Sequence, residues 1–307
     1  MIQILLSEHM QPSLLQSELH KLDPDLNIGI GPNEEESEKV EFVVIWNQPH
    51  GSLKRYPNLK LICVYGHGVD SALLDPELPS DVPIFRLTDQ TMANCMSEYL
   101  LTAVLMHKRE MLAHIREPQT ILWGRTVRRP GNQIGILGMG YLGTHAASLF
   151  LKMGFEVLGW SRSPKRVKDV KCFNGSEGLN AVLAQSDYLI SLLPLTQETE
   201  NFLDLKVLKQ LKQGAYLINV GRGKVLVEED LIRALDEEQL SGACLDVFRQ
   251  EPLPAKHPFR NHPKILITPH NSSSTPAESV APQILENFIN MKKGRPLNNL
   301  VDLKRGY

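Results

Sequence analysis

From Ile134 onward, short near-continuous runs of Val, Ile and Leu alternate with stretches in which apolar residues recur every three to four positions. The runs predict strands at Gly135–Leu137, Glu156–Trp160, Asp187–Leu193, Ala215–Val220, Gly242–Val247 and Lys264–Thr268. The spaced stretches predict helices at Tyr141–Met153, Glu177–Gln185, Asp204–Leu211, Glu228–Leu235 and Glu278–Met291. Strands without polar alternation are apolar on both faces, so they belong to a parallel sheet with helices on either side. Six such strands suit a doubly wound α/β sheet.

Residues 1 to about 90 carry a second, smaller βα series, with strands expected at Gln3–Leu6, Phe42–Trp46, Lys60–Tyr65 and Pro83–Phe85. The acidic stretch Asn33–Lys39 between them reads as a solvated loop or helix end. A long helix is expected over Met92–Leu112, with Met96, Leu100, Ala103, Val104 and Met111 on its apolar face. It would carry the chain from the small domain into the larger one, and the helix near Glu278–Met291 could return to the first. The expected division is 1–98, 99–275 and 276–307, the last segment rejoining the first domain.

The strand before Gly138 turns directly into a helix through Gly138-Met139-Gly140-Tyr141-Leu142-Gly143. Such a turn cradles a dinucleotide pyrophosphate. Gly138 permits the tight turn, Gly140 lets backbone approach the phosphates, and Gly143 allows close helix–strand packing, with Tyr141 and Leu142 between them. The amides at the helix start then face the anion. This makes the larger domain a Rossmann cofactor domain. An NAD-specific sheet ends its second strand on Asp or Glu, which binds the adenosine ribose. Here Trp160 is followed by Ser161-Arg162-Ser163, with Lys165 and Arg166 beyond. Arg162 suits a 2′-phosphate and the two serines add hydroxyl donors, so NADPH is the preferred cofactor, with NADH possible.

Composition narrows the setting. Over 307 residues, 42% hydrophobic and 22% charged side chains describe a globular chain long enough for two domains. A net charge of −2 speaks against a nucleic-acid partner, and no apolar run reaches the ~18 residues of a membrane span. The start, Met1-Ile2-Gln3-Ile4-Leu5-Leu6, lacks a basic region and a long apolar stretch and reads as a first strand. Cys63, Cys95, Cys172 and Cys244 are scattered, with neither metal-ligand spacing nor a disulfide framework. A cytoplasmic protein without a bound metal is expected.

Three polar landmarks follow later strands: Asn219-Val220-Gly221-Arg222-Gly223, Asp246 through Glu251-Pro252, and Thr268-Pro269-His270-Asn271. Carboxyl ends of strands are where open α/β sheets bind ligands. There Arg222 would grip an anionic 2-oxo acid through a forked pair of bonds. His270 would give a proton to the ketone oxygen as hydride arrives from the nicotinamide. Glu251 would orient the imidazole and keep it protonated near neutral pH.

With Leu192-Leu193-Pro194-Leu195-Thr196, Leu217–Gly223, Leu245–Phe248 and Glu251–Pro254, these phrases resemble the D-isomer-specific 2-hydroxyacid dehydrogenase family over nearly the whole chain. The resemblance implies that Arg222, Glu251 and His270 are the catalytic set. It adds Leu193, Pro194, Val220, Gly221 and Asp246 to the cofactor-binding residues. It also implies a smaller, flavodoxin-like substrate domain, formed by the N-terminal part and the C-terminal helix, and a homodimer. In that domain Tyr65-Gly66-His67-Gly68-Val69-Asp70 would hold the substrate carboxylate on backbone amides, as a nest carrying two glycines can. Val44-Ile45-Trp46, Ser161-Arg162-Ser163 and Val301–Tyr307 suit the branch that reduces glyoxylate and hydroxypyruvate, where Trp46 would wall the substrate pocket. Core packing is an equal alternative for Trp46. His67 stands where a small residue is expected, and Asn271-Ser272 where an apolar pair is expected, both bearing on substrate preference. A D-lactate-like or phosphoglycerate-like dehydrogenase keeps the same chemistry on another acid. A dinucleotide-sensing corepressor is the reading from a different class.

Overall fold

A computed structural model describes residues 1–32, 34–116 and 131–306. Asn33 of the acidic stretch, residues 117–130 of the larger expected domain and Tyr307 of the closing phrase lie outside the described residues. The chain forms two compact units, one of Met1–Met92 with the segment from Thr275 onward, the other of Ala93–Ser274.

The first unit holds β1 (Ile2–Leu5), β2 (Ile28–Ile30), β3 (Phe42–Ile45), β4 (Leu61–Val64) and β5 (Ile84–Arg86). They pair in parallel in the order β2-β1-β3-β4-β5. Alternate residues of β1, β3, β4 and β5 feed two cores, as the period-two pleat requires. Ile2, Ile4, Phe42, Val44, Leu61, Cys63 and Phe85 face a cluster shared with Leu15 and Leu19 of the helix Pro12–Leu22. Ala277, Val280, Ala281 and Ile284 of the C-terminal helix Ala277–Lys292 complete that cluster. Val43, Ile45, Ile62, Val64 and Ile84 pack on the opposite face with Leu53, Tyr56 and Val69. The C-terminal helix is also tied to the strand ends by a reciprocal pair, Thr88 N–H to Gln283 Oε1 (3.1 Å) and Gln283 Nε2 to Thr88 O (3.0 Å).

The second unit holds β6 (Gln133–Leu137), β7 (Glu156–Trp160), β8 (Lys171–Phe173), β9 (Tyr188–Ser191), β10 (Ala215–Asn219), β11 (Leu240–Leu245) and β12 (Ile265–Ile267). All are parallel, in the order β12-β11-β10-β9-β6-β7-β8. Chain order reverses between β6 and β9, the switch point at which doubly wound sheets bind ligands. Leu137, Leu189, Leu217 and Leu245 lie at 0% exposure in one core cluster. Truncating such a residue, for example Leu217→Ala, costs ~2–5 kcal/mol.

Among the described residues the sheet has seven strands, not six. The added β8 is a three-residue edge strand, as is β2 in the first unit. Neither is long enough to show a period, and edge position relaxes the demand for apolar side chains on both faces. The long helix also differs. It runs Gln90–Lys108, and a separate helix follows at Met111–Arg116. Glu110 between them has φ +53°, a left-handed conformation no helix interior accommodates. Apolar spacing continues through Met111, so periodicity alone could not see the break. The helix expected over Asp204–Leu211 contracts to Leu205–Leu208, with the Asp204 carboxylate capping it from Val207 N–H (2.9 Å). Among the described residues no helix is long and apolar enough to cross a membrane. None of their His, Cys, Asp and Glu side chains form a group that could hold a metal ion.

Candidate active site

The glycine turn after β6 is built by contacts that exclude a side chain at two of its three positions. Gly138 has φ +105°, and its N–H donates to Trp160 O (2.9 Å). A Cβ at Gly143 would lie 2.1 Å from the Gly138 carbonyl oxygen, so the helix packs on the turn only through glycine. At Gly140 a Cβ would meet nothing within 4 Å. Gly140 is the N-cap of the helix Tyr141–Lys152 and offers no side-chain cap to its first amides. Those amides have no acceptor within the helix and carry its positive dipole end, with open space over Gly140 for an anion to approach. The turn therefore fits a dinucleotide pyrophosphate.

At the end of β7 the backbone of Ser161 donates to Phe173 O (3.1 Å) and its hydroxyl to Ser163 O (2.8 Å), closing a tight turn around Arg162. Arg162 Nη1 reaches Glu198 Oε2 at 2.6 Å in a solvent-exposed pair. Glu198 lies beyond β9, and no local pattern in the sequence joins it to this region. Its acidity beside a guanidinium becomes visible only when the chain is folded.

The ends of β9, β10 and β11 are interlocked by backbone. A Cβ at Gly221 would lie 2.6 Å from Leu193 O, and one at Gly223 would lie 1.9 Å from the Phe248 carbonyl carbon. Arg222 thus sits between two close approaches, one to the Leu193-Pro194 segment and one to the loop leading to Glu251. Asn219, fully buried, closes the turn by accepting from Gly221 N–H (3.3 Å) and donating to Arg222 O (3.1 Å). Val220 is buried beside it.

Glu251 and His270 meet. The Glu251 Oε2 to His270 Nδ1 distance is 2.6 Å, while Glu251 Oε1 accepts from Phe248 N–H (2.9 Å). Both side chains are partly exposed, at 34% and 40%. Burial by itself would push the Glu251 carboxyl up. The hydrogen bonds from His270 and Phe248 N–H, with the charges of His270 and Arg222, outweigh it and hold the carboxyl below its usual range. His270 Nε2 has no hydrogen-bond partner among the described residues. Asp246 is fully buried. Its carboxylate accepts from Thr268 Oγ1 (2.5 Å), Asn271 N–H (2.9 Å) and Ser272 N–H (2.9 Å). The expectation that Asp246 binds cofactor therefore meets a carboxylate engaged in holding the His270 turn.

In the first unit, Trp46 follows β3 and packs against both cores. A Cβ at Gly66 would lie 2.6 Å from the Trp46 ring, so the indole covers the backbone of the loop after β4. Packing and loop-walling are thus the same contact. Gly66 N–H donates to Val64 O (2.8 Å), so Gly66 contributes shape to the loop and not an amide donor. His67 and Gly68 are partly buried, and Asp70 opens the short helix Asp70–Leu73.

Residues 101–272 match the model of the D-isomer specific 2-hydroxyacid dehydrogenase NAD binding domain. The chain belongs to the D-isomer specific 2-hydroxyacid dehydrogenase family. It is 38% identical over 280 residues to the glyoxylate/hydroxypyruvate reductase A of Yersinia enterocolitica, covering 89% of each chain. Among solved structures it resembles a D-isomer specific 2-hydroxyacid dehydrogenase from Xanthobacter autotrophicus Py2 in complex with NADPH and MES. The two share 38% identity with a TM-score of 0.94, over 100% of this chain and 99% of that one. The NADPH-dependent glyoxylate/hydroxypyruvate reductase of Sinorhizobium meliloti, in complex with NADP and sulfate, is similar at 32% identity and TM-score 0.91, again over 100% and 99%. Two of the sequence departures have a structural reading. Asn271 and Ser272 serve Asp246 through their backbone amides, so polar side chains there leave the turn intact.

Proposed function

We propose that the protein reduces small 2-oxo acids with NADPH, converting glyoxylate to glycolate and hydroxypyruvate to D-glycerate. The observation that carries this reading is the 2.6 Å contact between His270 Nδ1 and Glu251 Oε2 at the carboxyl end of the sheet that bears the glycine turn. Gly138, Gly140, Tyr141, Leu142 and Gly143 would hold the pyrophosphate, with Ser161, Arg162 and Ser163 toward the 2′-phosphate. Absence of a carboxylate at the end of β7 and the NADPH bound by similar proteins support that cofactor.

When bound, NADPH supplies the hydride that becomes the new C–H bond of the hydroxy acid. The chain supplies the proton and the orientation. Glu251 accepts from Nδ1 and so fixes the imidazole plane, leaving Nε2–H to give its proton to the ketone oxygen. Arg222 holds negative charge on the substrate and, with the imidazolium, stabilises it as it grows on oxygen. Within the first unit, His67 and Gly68, on the loop that Trp46 and Gly66 shape, are the proposed substrate-binding residues. The reading also carries a homodimer in the cytoplasm, to be tested by light scattering and cell fractionation.

The test is a panel of 2-oxo acids assayed with NADPH and NADH in parallel, including pyruvate and a phosphorylated hydroxypyruvate. Turnover should be highest on glyoxylate or hydroxypyruvate with NADPH. His270→Ala should lower kcat by ~10²-fold or more while NADPH binding is retained. Near-wild-type turnover in that variant would refute the assignment of the proton donor. Tight NADPH binding with no turnover on any acid would favour a sensing protein.

A further inference from the structure

Behind the His270 turn runs a line of polar groups, buried at Asp246 and Cys244 and partly buried at Thr268 and Tyr99, to which the proposed chemistry assigns no part. His270 itself has φ +53°, a left-handed conformation that costs a residue with a Cβ ~1 kcal/mol or more. Asp246 holds this turn from two directions. Its carbonyl accepts from His270 N–H (2.9 Å), and its carboxylate takes the next two amides, of Asn271 and Ser272. Behind the carboxylate stands Thr268, whose hydroxyl donates to Oδ1. Behind Thr268 stands Tyr99 of the helix Gln90–Lys108, with its phenol oxygen 2.6 Å from Thr268 Oγ1 and 3.3 Å from Cys244 Sγ.

Proton bookkeeping gives this line a direction. A hydroxyl has one proton to give, and that of Thr268 goes to Asp246. Its oxygen then accepts, so the Tyr99 phenol must donate to it, and the Tyr99 oxygen is left to accept from the Cys244 thiol. Every donor points toward the carboxylate. Burial, together with Cys244 and Asp246 nearby, drives the Tyr99 phenol far above its ordinary range, so it keeps the proton this arrangement needs.

We propose that Thr268 and Tyr99 are positioning residues for the reduction: acting in series through Asp246, they hold the His270 turn so that the imidazole meets Glu251 and the substrate together. The proposal rests on His270 being the proton donor. A displacement of about 1 Å in such a group can cost ~10²-fold in rate, so the effect should fall on turnover before it falls on binding.

Thr268→Val keeps the shape and removes the hydroxyl. It should lower kcat by ~10-fold or more, with the dissociation constant for NADPH unchanged, and Thr268→Ser should restore turnover. Tyr99→Phe should lower kcat by a smaller factor, ~5-fold, the scale of one neutral hydrogen bond. Because Tyr99 acts only through Thr268, the double variant should be no worse than Thr268→Val alone. In histidine-labelled protein, the nuclear magnetic resonance signal of the His270 Nδ1 proton should move in Thr268→Val and return in Thr268→Ser.

Additive losses in the double variant, or wild-type turnover with an unmoved resonance in Thr268→Val, would overturn the proposal. If Thr268→Val does not fold, Tyr99→Phe decides: unchanged kcat and resonance overturn it. Wild-type turnover in His270→Ala alongside a displaced resonance in Thr268→Val would instead refute the proton-donor reading and leave the turn-holding role standing.

Discussion

Replacing Gly140 and Gly143 separately by alanine divides one motif into a binding position and a packing position. At Gly143 the new Cβ would stand 2.1 Å from the Gly138 carbonyl oxygen, and 3.1 Å from its carbon. Both atoms are backbone, so no side chain can swing aside. The helix Tyr141–Lys152 must withdraw from β6 by roughly an ångström, for which overpacking costs of ~1–3 kcal/mol set the scale. At Gly140 nothing lies within 4 Å of the Cβ position, and the backbone is not left-handed. An N-cap Gly→Ala exchange costs only ~1 kcal/mol or less in stability. A methyl group there would instead occupy the space over the helix amides, and loss of close approach by the pyrophosphate should weaken NADPH by ~10–100-fold, or ~1.4–3 kcal/mol. Urea unfolding without ligand and fluorescence titration with NADPH measure the two quantities independently. Gly143→Ala should lose stability clearly, and Gly140→Ala should stay near wild type in unfolding while losing affinity. Undiminished NADPH affinity in Gly140→Ala would refute the pyrophosphate assignment. Unchanged unfolding in Gly143→Ala would refute the packing argument.

Three further predictions follow from charged groups. Arg162→Ala should weaken NADPH by ~1–2 kcal/mol and leave NADH nearly unchanged, whereas Glu198→Gln, which frees Arg162 from its 2.6 Å partner, should not weaken NADPH; equal losses for both cofactors in calorimetry would contradict this. Glu251 titrates below the usual carboxylate range, so its grip on His270 is present at neutral pH and is lost as pH falls through that lowered value. Glu251→Gln should therefore lower kcat by ~10-fold near neutrality and remove the corresponding acid limb from the rate profile. Hydrogen bonds from Lys292 and Lys60 hold Glu41 at about 2, down from 4.5, so its stabilisation is complete above the unfolded value and disappears between about 4.5 and about 2. The two lysines are about half exposed, which limits the contribution: Glu41→Gln should destabilise by ~1 kcal/mol in urea at neutral pH, a difference that vanishes near pH 2. A constant difference across that range would place the effect in packing.

Much of the fold is written in local pattern, because a strand covered on both faces must be apolar at every position and a packed helix must repeat every three to four. β7 falls on Glu156–Trp160 as read from the sequence, and most other strands shift only at their ends. The turn Gly138–Gly143 was legible for the same reason: a strand, a glycine-bounded turn and a helix are contiguous in sequence. Short edges were not legible. β2 and β8 are specified by pairing with β1 and β7, a partner that three residues cannot advertise. The break at Glu110 was hidden because a backbone dihedral leaves the apolar period intact.

The candidate site divides along the same line. Arg222, Glu251 and His270 could be named from the sequence as residues at strand ends in a familiar order. That Glu251 reaches Nδ1 of His270, and that Asp246 turns inward to hold the His270 loop, depends on β10, β11 and β12 being neighbours in one sheet. Tyr99 lies far from Thr268 in the chain, and no local signal marks it. Only folding, which sets the helix Gln90–Lys108 against the ends of β11 and β12, places its phenol where Thr268 needs a donor. Sequence thus determined which elements form and which chemistry they carry, since both depend on neighbours along the chain. Tertiary structure decided which groups share a proton, since a hydrogen bond depends on distance in space.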